Sequence, residues 1–535
     1  MLPKAEEGGF SWAQSARSAL PAMFLAAVCL IPFLNKAYAI DDPYFVLMAQ
    51  QAGREFWRPL HFQLCWFGTL TCGYASDLAP GQPLMAYLLL PLTGVQIPEW
   101  LVHLVQLGVL CAGALGTVAL ALRLGFGKLE ARAAGIVLIA LPPVLAMTNT
   151  AMPDILAMAL GVLGIERFTA WLQEERWSQG ALAAVWLGMA PLARTHLLAL
   201  AGVVALMIVV VRWGKPDFLK ATLRAAAPLA VALVIFASAT WLTREAGVNG
   251  IMPPSRNVHL ANIRPNLWAY LWQLVLTFPI AIVWLATSGY GRSVSIAALI
   301  YVPAIFLMGW WRPLPIVVVG LACFAGLLWK AWSTKEFTNI LLFAWLLVPL
   351  PALPYLHFPP KYLIASAPAL AILMVKLWRE HGLRNPVPWS LALAASLFFS
   401  VIILDADSKF AAIPRTAAAE LIAPRVAAGE RVWYAGQWGL YWYGQQAGAR
   451  HVLPSGPGPL PGDLLVLGNL EGCKELLKRF PNRTLVERRI FSSTGGRTMD
   501  ASAHAGLYSN SYGYGPSIWA WGEGEVNRYD VWRVN

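Results

Sequence analysis

Two adjacent aspartates, Asp41 and Asp42, stand where the first apolar run of the chain ends: ALPAMFLAAVCLIPFL is followed at once by NKAYAIDDPYFVLMAQQ. Neighbouring carboxylates repel, so the pair calls for a cation, a metal or a proton to be moved. At a membrane–water boundary a carboxylate meets a polar substrate beside a partly desolvated wall, which suits a general base. The competing explanation is helix capping, since acids are favourable at a helix N-terminus. A third acid, Asp154 in TNTAMPDILAMAL, is the sole ionisable residue between Arg132 and Glu166. It follows Pro153, which suits a helix start, but ionisable groups at membrane depth are costly and are functional candidates by default.

Basic residues fall on the same expected face. They are Arg58, the Arg194 and His196 pair, the Arg256, His259 and Arg264 group, and Lys361 beside Tyr362 in HFPPKYLIASAP. Carboxylates facing cations suit departure of a phosphate: the cations stabilise the leaving group while a base deprotonates the acceptor. Taken singly, each cation reads equally well as a side chain snorkelling to the interface. A divalent metal held by Asp41 and Asp42 is compatible with the sequence, which requires no cofactor.

These residues need elements to position them, and composition says which. Hydrophobic residues make up 58% of the chain and charged residues 13%, against roughly 45–50% and about 25% in soluble domains. Apolar runs long enough to cross a bilayer recur from Ala19 to beyond Leu404. The expected fold is a polytopic α-helical membrane protein with about 13 transmembrane helices. Their approximate extents are 19–37, 98–122, 133–149, 154–172, 181–193, 197–212, 226–243, 267–288, 294–310, 314–330, 338–356, 361–378 and 388–405. The first run lacks a clean small-residue cleavage site and reads as an anchor, not a signal peptide.

The net charge of +12 is distributed as topology signals, not as a nucleic-acid stripe. With the N-terminus cytoplasmic, inside segments carry seventeen Lys and Arg and outside loops nine, which favours that orientation and puts the C-terminus outside. Residues 1–405 then form the membrane part, with a long outer loop at about 36–99, and 406–535 form a small extracytoplasmic α/β domain. Within the long loop, PYFVLMAQQAGREFW and QPLMAYLLLPL are apolar but too short to span, and read as surface helices. In the C-terminal part RVWYAG, DLLVLG and RTLVERRIF read as strands, and LYWYGQQAG and GCKELLKRF as helices. Cys29, Cys111 and Cys323 lie in apolar runs, whereas Cys65 and Cys72 share the outer loop and can pair in an oxidising compartment. There is no P-loop, GxGxxG, HExxH or GxSxG motif to support nucleotide-driven or serine chemistry.

Five segments, in order, resemble GT-C glycosyltransferases, the nearest group being bacterial protein O-mannosyltransferases and lipid A aminoarabinose transferases. DDPYFVLMAQQ resembles their D-E/D-x-Y-Y motif, APGQPLMAYLLLPL their His-Pro-Pro-Leu surface helix, and MPDILAMALGVLGIERF their Pro-Asp segment. LGMAPLART resembles the small-residue stretch with a basic residue, and PPKYLIASAPALAIL the Arg-Tyr-x-x-x-x-x-Pro opening of a late span. Three departures stand out: Asp42 where Glu is commoner, GQP in place of His-Pro-Pro, and Lys361 in place of Arg, which loses bidentate phosphate geometry.

The resemblance implies inverting transfer of a sugar from a polyprenyl-phosphate carrier to a glycan, lipid or protein acceptor, at the outer face of a bacterial cytoplasmic membrane. On that pattern Asp41 is the general base, Asp42 orients it or holds a cation, and Asp154 binds substrate or supports the base. Lys361 meets the leaving phosphate, with Tyr362, Tyr44, His259, Arg58, Arg194 and Arg264 as further substrate-binding candidates. Two other classes compete. A flippase for a lipid-linked anion would place its charges near the midplane of repeated halves, and no repeat is present in the sequence. An envelope polysaccharide ligase or polymerase would also use a long outer loop with Arg and His.

Overall fold

The computed structural model describes residues 11–65, 72–75, 83–93, 97–214, 217–243, 258–287, 314–381, 387–453, 456–470 and 474–535. Among these, eight helices are long and apolar enough to cross a membrane, or ten if each of two bent pairs is one span. The chain is a multi-pass membrane protein, but the expected thirteen spans are corrected downward. Proline accounts for much of the difference. The run at 133–149 is two helices, Lys128–Ala140 and Pro142–Thr148, meeting at 65°, and 267–288 breaks by 58° ahead of Ile280. Pro142, Pro143 and Pro279 lack the N–H that a continuous helix needs. The fifth expected span is a 17-residue helix, Trp177–Ala193, about 26 Å long and short of the roughly 30 Å hydrocarbon core. The 338–356 run forms the helix Phe337–Leu346 and then a 3-10 turn at Leu350–Ala352. The expected span at 294–310, with Arg256, lies outside the described residues.

Two helices are far more enclosed than the rest. In Asp154–Glu174 and Pro360–Glu380, 94% of the most apolar stretch is buried by protein, against 17% in the long helix opening at Val387. Close approach of the packed helices uses small residues in place of hydrophobic driving force. At Gly188 a Cβ would lie 2.8 Å from the Ala232 carbonyl oxygen, and at Gly320 2.4 Å from that of Leu271. The two enclosed helices begin with Asp154 and, within their first residues, Lys361 and Tyr362. At the far end of Asp154–Glu174, Arg123 donates to Glu166 (2.5 Å) and Glu174 (2.8 Å), and Arg167 also pairs with Glu166. Opposite charges buried together avoid the cost of an unpaired one.

The Val387–Ala417 helix runs without a break past residue 405 and meets a mixed sheet. Nine strands are described: β1 Gln63–Cys65, β2 Cys72–Tyr74, β3 Val432–Ala435, β4 Arg450–His451, β5 Leu464–Gly468, β6 Arg483–Arg497, β7 Met499–Asp500, β8 Ala505–Gly506 and β9 Ala520–Val534. The five-stranded sheet has the order β4-β3-β5-β9-β6. β3 is parallel to β4 and β5, while β9 is antiparallel to β5 and β6. Trp519 packs edge-on against Phe399 of the long helix, with ring centres 5.2 Å apart. β9 is a 15-residue strand whose WGEGE stretch has too few apolar residues to show alternation in the sequence. GCKELLKRF, read as α-helix, is a 3-10 helix over its described part, Lys474–Arg479. In the outer loop β1 and β2 are antiparallel, with Cys65 opposite Cys72 in register.

Candidate active site

The first helix, Trp12–Leu30, gives way at Pro32 to a 3-10 turn, Ile31–Phe33, and a non-helical stretch that ends in Asp41. Ile40, just before the aspartates, has φ +49°, a left-handed conformation that a β-branched residue adopts only at a cost of about 1–3 kcal/mol. Its surroundings hold it there. The Tyr38 N–H donates to the Tyr443 hydroxyl (2.8 Å), and the Ala39 N–H to an Asp42 oxygen (3.0 Å). The other Asp42 oxygen accepts the Ala151 N–H at 2.7 Å, so this carboxylate ties the first loop to the segment leading into Asp154.

Asp42 is fully buried. Burial pushes its pKa up to about 7, against the opposing pull of Lys36 and the two backbone N–H groups. Asp41 differs: it is the N-cap residue of the helix Asp42–Arg54, its side chain is 37% exposed, and its carboxylate lies 3.5 Å from the Lys361 ammonium. Lys361 is itself buried, with Nζ 3.6 Å from the sulfur of Met152. The repulsion expected of adjacent acids is thus resolved by giving each its own partners.

Asp154 forms a bidentate pair with Arg194, at 3.0 and 2.6 Å, with side chains only 1% and 10% exposed. The Arg194 guanidinium sits 5.9 Å from the centre of the Tyr362 ring, and His196 and His357 pack against the same ring at 5.5 and 6.1 Å. Burial, and next the charges of Lys361 and Arg194, push His357 down to about 3, which keeps it neutral. Tyr44 is buried against Phe45 and Phe62, and burial, with Asp41 adding to it, keeps its hydroxyl protonated. Asp41, Lys361, Tyr362, Arg194 and Asp154 therefore converge from four distant segments of the chain. Arg58, His259 and Arg264 are exposed and lie outside these two ion pairs.

A second set of residues escaped the sequence reading. Lys36 and Asp407 form an ion pair at 2.5 Å with neither side chain exposed. Lys36 also donates to the Asn149 carbonyl (3.0 Å), and the Tyr508 hydroxyl donates to Asp407 (2.7 Å). In sequence Lys36 reads as one more topology charge, and Asp407 as a polar residue at the end of the last span. The loop after Tyr508 holds the segment before Lys361: Asn510 accepts the Phe358 N–H (2.7 Å), and Ser511 donates to the Leu356 carbonyl (2.7 Å). Tyr443 donates to Glu99 (2.6 Å) while accepting from Tyr38. The C-terminal region thus grips the Asp41 loop and the Lys361 segment.

No family model and no curated protein matches this chain. Solved structures do. ArnT from Cupriavidus metallidurans, bound to undecaprenyl phosphate, aligns over 88% of this chain and 96% of its own, at 14% identity and a TM-score of 0.50. The oligosaccharyltransferase of Archaeoglobus fulgidus, in complex with Zn and sulfate, aligns over 81% of this chain and 62% of its own, also at 14% identity and a TM-score of 0.50. The chain shares the fold of these two membrane proteins. Among the described residues no group of three His, Cys, Asp or Glu side chains is arranged to hold an ion. Asp42 is occupied by two N–H groups, Asp154 by Arg194, and Asp41 faces Lys361. Three aspartates matched by cations and amides do not fit a divalent ion.

Proposed function

We propose that the protein is an inverting glycosyltransferase that moves a sugar from a polyprenyl-phosphate donor to an acceptor hydroxyl at the outer face of a bacterial cytoplasmic membrane. The observation that carries this reading is the half-exposed carboxylate of Asp41 set against the buried ammonium of Lys361, with the Asp154–Arg194 pair alongside. Asp41 accepts the acceptor's proton as its oxygen attacks the anomeric carbon from the face opposite the phosphate. Lys361 and Arg194 receive the negative charge that grows on the departing phosphate oxygens, a role worth more in a dry site than in water. Asp154 holds the Arg194 guanidinium in one orientation, and Asp42 fixes the backbone that presents Asp41. Tyr362, between Arg194 and His357, covers this wall. Undecaprenyl phosphate in the solved ArnT complex supports a donor of that class. In this reading no metal takes part, Arg58, His259, Arg264 and Tyr44 bind no reacting group, the N-terminus is cytoplasmic, and residues 406–535 stand outside. The divide between membrane part (1–405) and outer part belongs to the same proposal.

The test is transfer in detergent micelles with the purified protein and a radiolabelled polyprenyl-phosphate sugar. Asp41→Asn should fold, keep donor binding and lose about 10²–10⁴-fold in rate, the range for a positioned general base. Turnover near that of the wild type would remove Asp41 from the chemistry. Activity that requires sealed vesicles would favour a flippase.

A further inference from the structure

We propose that the groove between the Asp42–Arg54 and Trp438–Gln446 helices binds a carbohydrate chain, so that the acceptor is a glycan. This rests on the transferase reading above and names its second substrate. The groove has a volume of about 440 Å³, and five of its lining residues are glutamines: Gln50, Gln51, Gln63, Gln445 and Gln446. None of these side-chain amides hydrogen-bonds another described residue, although Gln51 is only 6% exposed. Five amides with no partner among the described residues line one groove, and they present donors and acceptors to whatever fills it. A sugar hydroxyl is likewise donor and acceptor, and the amide side chain matches both roles.

The other walls fit the same ligand. Phe62, Tyr441 and Trp442 offer aromatic surface to the C–H faces of sugar rings. Among the described lining residues Arg54 is the sole charged one. With no acid among them a cationic peptide is disfavoured, and the polar lining disfavours an acyl chain. Position ties the groove to the chemistry. Its residues on the Asp42–Arg54 helix, Leu47 to Arg54, stand about 8–18 Å along the axis from Asp42, a span that suits more than one sugar ring. Trp442 packs edge-on against Tyr38 (5.6 Å) and Phe62 against Tyr44 (6.1 Å), the aromatics flanking the aspartates.

The experiment titrates full-length protein in detergent with maltoheptaose, chitotetraose and a dextran fragment, and with a threonine-containing peptide and lipid A. Tryptophan fluorescence reads binding, and undecaprenyl phosphate is measured in parallel. At least one oligosaccharide should bind. The exposed double substitution Gln445→Ala/Gln446→Ala should weaken it about tenfold and leave undecaprenyl phosphate binding unchanged. Gln51→Leu should act in the same direction. Oligosaccharide binding that is unaltered in both variants overturns the proposal. So does its absence across the panel, including the case in which the peptide or lipid A binds and loses affinity in these variants. If the wild type binds oligosaccharide but not undecaprenyl phosphate, the groove stands and the donor assignment falls.

Discussion

Breaking the Asp154–Arg194 pair should separate support from chemistry. Both side chains are buried, at 1% and 10% exposure, and joined by two charge-assisted hydrogen bonds of 3.0 and 2.6 Å. Such bonds contribute about 1.5–3 kcal/mol each, and stranding one buried charge costs about 3–5 kcal/mol. Asp154→Asn and Arg194→Met should therefore each destabilise by about 3–5 kcal/mol. The double variant, which leaves neither charge stranded, should be destabilised by much less than the sum of the two. Thermal and denaturant unfolding in micelles, followed by tryptophan fluorescence, reads this cycle. The kinetic counterpart is sharper. If Asp154 acts by aiming Arg194 at the donor phosphate, Asp154→Asn should raise the donor KM about tenfold or more and leave the pH dependence of kcat in place. A single-variant cost below about 1 kcal/mol would show that the pair is wet and weak. A fall in kcat alone, with donor KM unchanged, would refute the positioning role.

Other expectations follow from the same geometry. Lys361→Met should lower kcat/KM by about 10²–10³, and Lys361→Arg should restore part of it, because the charge returns with a different shape; equal activity in both variants would contradict a phosphate contact. Asp42 rises from its ordinary 3.8 to about 7 on folding, so its protonation contributes stability that is full below about pH 4 and lost as pH climbs through 7. Unfolding measured from pH 4 to 8 should show that slope in the wild type and a flatter one in Asp42→Asn. Asp407→Asn leaves Lys36 buried without its ion partner and should cost about 3–5 kcal/mol, whereas Lys36→Met/Asp407→Leu should recover most of it. Equal destabilisation of single and double variants would dissociate the two residues.

The aspartate pair, Asp154 and Lys361 were legible as candidates because each borders or interrupts a long apolar run, where a charge is costly even though a helix cap or snorkelling also accounts for it. Arg194 was legible as a cation at the same face, but its clasp on Asp154 was not, since the two are separated by a helix, a turn and a second helix. Asp42 was grouped with Asp41 by adjacency. One residue of helical rotation and the fold of the Lys36–Ile40 loop bury the first and expose the second. Arg58, His259 and Arg264 share the expected face, but sidedness fixes depth in the membrane and not lateral position. The span count failed for a local reason: hydropathy averages across Pro142 and Pro279, where the backbone bends.

By itself the sequence determined that the protein lives in a membrane and which polar residues are costly there. Those are properties of a window of neighbouring residues, because transfer into lipid sums over side chains one at a time. Tertiary structure alone decided the pairings. Lys36 with Asp407 and Tyr508, Tyr38 with Tyr443, and Phe358 with Asn510 join residues more than a hundred positions apart. Each buried charge or amide takes whichever partner the packing of the outer sheet on the membrane helices brings within reach, and no local pattern records that choice.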